Sequence, residues 1–213
     1  TMARPEDTQN FTALMKGLRE MLDTFDSPKV LTFASAGWKH YYDFVDMDEV
    51  MKYADSTNVM TYDQVSGVSI YTGHHTPLGD VTSEDIAGTP FHDHLDSLYK
   101  SGKSPDPNPR SAQKIVDFLI KEGVNPKQIV IGSAFYGRVW KGVPPANNGL
   151  YQLSGGLQIG WMSYQRIREL YEQDSNFQRF WDEKAEAPYM YNSKDSLMVS
   201  YDDTVSVALK TKY

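Results

Sequence analysis

Apolar residues recur at helical spacing over residues 8–25, where Phe11, Leu14, Leu18, Met21, Leu22 and Phe25 fall on one face. Asp23, Asp26 and Pro28 mark the end of this predicted helix. A short apolar run rich in strand formers follows at 30–35. Next come a helical segment at 47–54 and a second strand-like run at 58–62. Residues 63–109 are rich in Gly, Ser, Thr, Asp and Pro and read as loop, with one short helix at 91–100. A loop of that length inside a compact domain is functional or carries short elements of its own. Residues 111–122 form the next helix, with Pro109 near its start and Gly123 just past its end. Asn125-Pro126 turns the chain into 128–135, a continuous apolar strand of the kind buried on both faces in a parallel sheet.

After Arg138 the character changes. Residues 142–160 are rich in Gly, Pro and Asn, and 163–173 read as helix. Two strands, 188–192 and 197–201, flank a polar turn at 192–195, and Asp202 and Asp203 cap a last helix through Lys210. Trp181 is assigned to a helix, as packing. Glu169, Glu172, Glu183 and Glu186 are read as the solvated face of late helices. Up to Ala134 the order is helix, strand, helix, strand, loop, helix, strand, which argues α/β with a parallel sheet.

Composition narrows the function. The 213 residues are 40% apolar and 23% charged, ordinary for one globular domain or a domain with an insertion. A net charge of −7 repels phosphate backbones, so no nucleic-acid partner is expected. No apolar stretch reaches membrane-spanning length. The opening Thr-Met-Ala-Arg-Pro has no apolar signal region. Cysteine is absent, which excludes disulfides and thiolate metal sites. Aromatics at 13% fit either a packed core or a carbohydrate cleft. Asn10-Phe11-Thr12 matches a glycosylation acceptor.

Candidate chemistry gathers at two strand ends. Met60-Thr61-Tyr62-Asp63 puts Met60 and Tyr62 on one face, with Asp63 topping the strand. A phenol and a carboxylate there can hold an amide; a core Tyr with a capping Asp is the plainer reading. The next strand ends Phe135-Tyr136-Gly137-Arg138-Val139-Trp140, where Tyr136 and Arg138 share a face and Gly137 admits a close approach to the backbone. Functional side chains of parallel α/β folds sit at such ends. His74, His75, His92 and His94, with Asp93, raise the question of a metal. Adjacent histidines point apart in extended chain, so they are read as loop residues and no metal is assigned. Trp38, Trp140 and Trp161 are core residues or stacking platforms for sugar rings, Trp140 being the best placed.

These motifs together resemble family 18 glycoside hydrolases, the chitinases. Met60-Thr-Tyr-Asp63 matches the motif of the sixth barrel strand. Thr72-Gly-His-His-Thr-Pro-Leu78 resembles the loop that follows it, and Phe135-Tyr-Gly-Arg138 the motif of the seventh strand. Ala187-Pro-Tyr-Met-Tyr191 and Val199-Ser-Tyr-Asp-Asp203 resemble the close of the small domain inserted after that strand, and Pro5-Glu-Asp-Thr-Gln-Asn-Phe11 the start of the fourth barrel helix. The resemblance implies part of a (β/α)8 TIM barrel, about strands five to seven, over residues 1–140. It further implies an α+β insertion over 141–202 and a return helix over 203–213. Strands one to four are expected before Thr1 and strand eight after Tyr213. Missing segments or self-association should then cover the open sheet edges.

The implied activity is hydrolysis of β-1,4-linked N-acetylglucosamine in chitin or chito-oligosaccharides, by a substrate-assisted retaining mechanism without a cofactor. Tyr62 would orient the acetamido group and Asp63 would bind the sugar at the cleavage point. Met60, Tyr136, Arg138, Trp140 and the loop residue His74 would line the cleft. Two departures stand out. The family's Asp-x-x-Asp-x-Asp-x-Glu run, which carries the acid, does not occur here, and Gln64-Val-Ser-Gly67 replaces the common Phe-His-Gly after Asp63. The chain alone is therefore expected to be inactive. The alternatives are a chitinase-like lectin that binds without cleaving, and an endo-β-N-acetylglucosaminidase acting on N-glycans. By family analogy the parent protein is exported.

Overall fold

The computed structural model describes residues 4–66 and 68–213. Thr1–Ala3 and Gly67, which the readings of the chain start and of the loop after Asp63 include, lie outside the described residues. The elements are α1 (Asp7–Leu22), β1 (Thr32–Ala36), α2 (Met47–Val50), β2 (Ser56–Met60), α3 (Pro90–Lys100), α4 (Ala112–Lys121), β3 (Ile129–Ile131), β4 (Tyr136–Lys141), β5 (Leu157–Ser163), α5 (Tyr164–Ile167), β6 (Gln178–Asp182), β7 (Ala187–Asn192), β8 (Leu197–Ser200) and α6 (Thr204–Lys212). They form a mixed α/β structure of two compact units, residues 1–60 with 113–132, and 61–112 with 133–213.

The first unit is a parallel sheet in the order β1-β2-β3. Ala36 pairs with Met60, and Val59 with Ile131. Its core joins Met15 of α1, Met47 and Val50 of α2, Val59 of β2, and Ile115 and Leu119 of α4. Two buried hydroxyls sit inside the sheet, Ser35 and Thr57, 2.7 Å apart. The Tyr42 hydroxyl donates to Ser35 Oγ at 2.9 Å, so the polar atoms satisfy one another rather than go unpaired. The strand expected over 128–135 is shorter. It ends at Ile131, Val130 is half exposed, and the Gly132 amide makes the last bond, to the Val59 carbonyl.

The second unit is built on an antiparallel sheet ordered β5-β4-β8-β7-β6. Alternation sorts its side chains cleanly. Trp140, Tyr189, Tyr191 and Met198 face one core, and Val139, Met190, Val199 and Tyr201 face the other. All six residues of β7, Asn192 included, are buried. The long segment 61–109 covers one face through Val65, Val81, Ile86 and Phe91. Thr89 caps α3, and Thr72 bonds to the Gly149 carbonyl and the Gln152 amide. Gly79 is forced by contact, since a Cβ there would lie 2.1 Å from the Lys184 carbonyl oxygen.

Three assignments need correction. Trp181 lies on β6, and Glu183 and Glu186 lie between β6 and β7, not on helices. The 163–173 helix is one turn of α5 followed by a π-helical turn, Arg168–Glu172. Asp203 alone caps α6, while Asp202 is buried in a polar cluster. There Lys210 Nζ donates to both Asp202 oxygens at 2.9 and 2.7 Å and to the Thr76 carbonyl at 2.8 Å. The Thr76 and Ser206 hydroxyls and the Ala134 amide also donate to Asp202. Burial lowers the Lys210 pKa, opposed by Asp202. Removing one partner of such a pair strands the other charge in a poorly solvated site. Lys210→Met should therefore cost about 3–5 kcal/mol of stability in urea unfolding at pH 7. A loss below about 1 kcal/mol would show that the cluster is not a structural tie.

Candidate active site

The second unit carries a polar, aromatic cluster around Asp63. Asp63 follows β2 by three residues and has φ 60°, a left-handed conformation that Asp tolerates better than most residues. The backbone turns there, and the carboxylate meets two side chains from β4. Tyr136 donates its hydroxyl to Asp63 Oδ1 at 2.5 Å, and Arg138 donates Nη2 to the same oxygen at 2.5 Å. Gly137 between them is dictated by packing, because a Cβ would lie 2.7 Å from the Ser200 carbonyl and from Ile167 Cδ1. Arg138 is itself fixed, donating Nη1 to the Gly160 carbonyl at 2.7 Å.

Aromatic rings extend the cluster. Tyr62 meets Tyr136 edge-on at 6.0 Å between centroids, and Trp161 stacks on Tyr136 at 6.1 Å and 28°. His75, fully buried, packs against Tyr136 at 5.1 Å. Its Nε2 lies 3.1 Å from the Tyr136 carbonyl, which can only accept, so Nε2 carries the proton. Its Nδ1 lies 3.7 Å from Asp63 Oδ1.

The electrostatics follow from these contacts. Burial alone would raise the Asp63 pKa, but the Tyr136 hydroxyl and the Arg138 guanidinium, both donating to Oδ1, outweigh it and hold the carboxyl well below its usual range. Burial, reinforced by Asp63, pushes the Tyr136 hydroxyl well up, so it stays a donor. Burial lowers the His75 pKa and keeps the ring neutral near pH 7. The result is an ionised, half-exposed carboxylate, gripped on one oxygen and flanked by aromatic faces. Such a group accepts hydrogen bonds from ligand hydroxyl or amide groups.

The other expected site residues lie as follows. Met60 closes β2 in the first unit, and the half-buried Trp38 lies in the same unit, just past β1. Trp140 presents no stacking surface. It is 0% exposed, packs in the core with Tyr189 and Met198, and donates its indole N–H to the Ser69 carbonyl. His74 is buried and bonds through Nε2 to Asp182 at 3.0 Å, a brace inside the unit. The four histidines diverge: His92 pairs with Asp93, and His94 stacks on Tyr71 at 4.4 Å. Among the described residues no three His, Asp or Glu converge on a metal-sized site. Sequence reasoning missed His75 as a neighbour of Asp63. The signal was the His74-His75 doublet itself, whose members must point apart.

The chain matches the profile described as "Glycosyl hydrolases family 18" over residues 2–213. It belongs to that family. It is 31% identical over 220 residues to Chitinase A1 of Niallia circulans, covering 99% of this chain and 29% of the relative. Chitinase B of Serratia marcescens is 28% identical, over 87% of this chain and 43% of its own length. A family 18 N-acetylglucosaminidase from Paenibacillus barengoltzii superposes with a TM-score of 0.81 at 34% identity, over 100% of this chain and 57% of that one. The chain thus spans less than two thirds of the length of each of these relatives.

The brace at Asp182 gives a pH test. Burial would raise its pKa, but His74 and the Ala185 and Lys184 amides bring it down to about 2. A carboxylate lowered in the fold stabilises it above the unfolded value and loses that contribution as pH falls. Stability should therefore decline between about pH 4 and pH 2. Asp182→Asn should flatten that decline in urea midpoints measured across the window. An unchanged slope would remove Asp182 from the acid response.

Proposed function

We propose that this chain supplies one wall of a cleft that binds β-1,4-linked N-acetylglucosamine polymers, and that the protein containing it hydrolyses them. The observation that carries the reading is the Asp63 carboxylate held by Tyr136 and Arg138 beside Tyr62, in a chain of family 18. The names of its relatives, chitinases and an N-acetylglucosaminidase, support the same substrate class.

In this reading β1, β2 and β3 are strands five, six and seven of a (β/α)8 barrel, which accounts for their parallel pairing and for functional groups just past β2. Residues 141–202 form the α+β insertion, and 203–213 the helix returning toward the last strand. Neighbouring barrel strands cover the open edges of the three-stranded sheet. The protein acts outside the cytoplasm on chitin or its oligomers.

The chemistry is substrate-assisted. A carboxylic acid on a segment outside these residues protonates the glycosidic oxygen. The carbonyl oxygen of the substrate's own acetamido group attacks the anomeric carbon, the bond to the leaving sugar breaks, and a cyclic oxazolinium forms. Water then opens it with net retention. A neutral carbonyl is a weak nucleophile, so its orientation decides the rate. The Tyr62 hydroxyl accepts or donates at the acetamido group and steers it. Asp63, ionised, accepts from the acetamido N–H and stabilises the cation as it develops. Tyr136 and Arg138 fix Asp63 so that little reorganisation accompanies the step.

In the full-length protein, Asp63→Ala or Tyr62→Phe should lower turnover of a fluorogenic chitobiose glycoside at least about tenfold, ~1.4 kcal/mol in the barrier. Unchanged turnover would take both residues out of the site.

A further inference from the structure

The β4–β5 pairing carries an irregularity at the site. Gly137 pairs with Met162 and Val139 with Ile159, so two residues, Gly160 and Trp161, stand opposite the single Arg138. This is a β-bulge, a device that re-aims side chains and recurs next to active sites. Ile159 and Met162 both keep their places in the core with Val139 and Val199. The extra residue is therefore taken up on the other face, the face of Tyr136 and Arg138. Gly160 gives its carbonyl to Arg138 Nη1 at 2.7 Å, which locks the bulge to the residue that grips Asp63. Trp161 is left 65% exposed, with its indole stacked on Tyr136.

An indole in water is costly to leave uncovered, and this one is held there by a built irregularity rather than by chance placement on a surface strand. The C–H groups of a pyranose ring form a flat apolar face that covers an indole well, while its hydroxyls stay free for partners such as Asp63.

Resting on the proposed function, we infer that Trp161 is a stacking platform for a pyranose ring of the chain adjoining the one held at Asp63. It makes the site favour longer oligosaccharides over the shortest ones. Tyr62, Tyr136 and Trp161 then form a continuous aromatic surface along which consecutive sugars lie, with Asp63 and Arg138 as its polar anchor. Binding energy gathered at the distal ring can be used at the reacting one.

Calorimetric titration of the full-length protein with chitobiose, chitotriose and chitotetraose tests this. Trp161→Ala should cut the affinity gained on going from dimer to tetramer by about fivefold or more, the ~1 kcal/mol of a lost ring contact. Trp161→Phe should restore most of it. Because the indole is exposed, both variants should melt like the unaltered protein. A gain from dimer to tetramer that survives Trp161→Ala would overturn the assignment. Asp63→Asn in the same titration separates the two claims. Binding lost there with Trp161→Ala silent defeats only the platform, whereas binding unaffected by Asp63→Asn, or absent from the unaltered protein, defeats the underlying function as well.

Discussion

A single oxygen of Asp63 receives the Tyr136 hydroxyl and the Arg138 guanidinium, with His75 3.7 Å away, and the geometry of the site follows from that meeting. A carboxylate with burial as its sole influence would take up a proton more readily. The donors reverse the sign and keep it ionised. They also fix its direction, since Tyr136 and Arg138 are on a strand buried on both faces and Arg138 is tied to Gly160. The left-handed backbone at Asp63 is the local strain that this arrangement sustains.

Behind the site, the sheet β5-β4-β8-β7-β6 is enclosed by two cores, so β4 has little freedom to shift. Two polar ties link the loop after Asp63 to this sheet. His75 donates its backbone amide to Ser200 Oγ at 2.9 Å, and Thr76 shares the buried Asp202–Lys210 pair with α6. Buried charges of this kind are poor sources of net stability but impose one arrangement, because any other leaves them unpaired. Rigidity at Asp63 and Tyr136 is what the proposed orientation-dependent catalysis requires.

Much of this was legible in the chain. Helical periodicity at 8–25 and 111–122, with a Gly just past the second, anticipated α1 and α4, but of the face expected for α1 Phe11 and Leu18 pack on the core beside the buried Met15 while Leu14, Met21 and Phe25 stay exposed. Tyr62, Asp63, Tyr136 and Arg138 stood out because polar groups at the ends of apolar runs are conspicuous. What escaped has physical causes. The strand β5 was unreadable because its bulge puts Ile159 and Met162, three apart, on one face, which breaks the period of two. Glu183-Lys184-Ala185-Glu186 favours helix locally, but Glu186 at φ 48° turns the chain and pairing of β6 with β7 prevails. Trp140 looked like a platform for its place after Arg138; the same alternation that shares its face also carries it into the core. Trp161, which the bulge exposes, could not be told from it without the register.

The central claim is that Asp63 is held ionised by its β4 partners, and a carbon-13 NMR titration of its carboxyl tests it most directly. The account predicts a resonance flat from pH 7 down to about pH 3 in the unaltered chain, and a midpoint moving up toward the ordinary value of about 3.9 or beyond in Arg138→Gln. A midpoint near 4 in the unaltered chain, indifferent to Arg138, would contradict it.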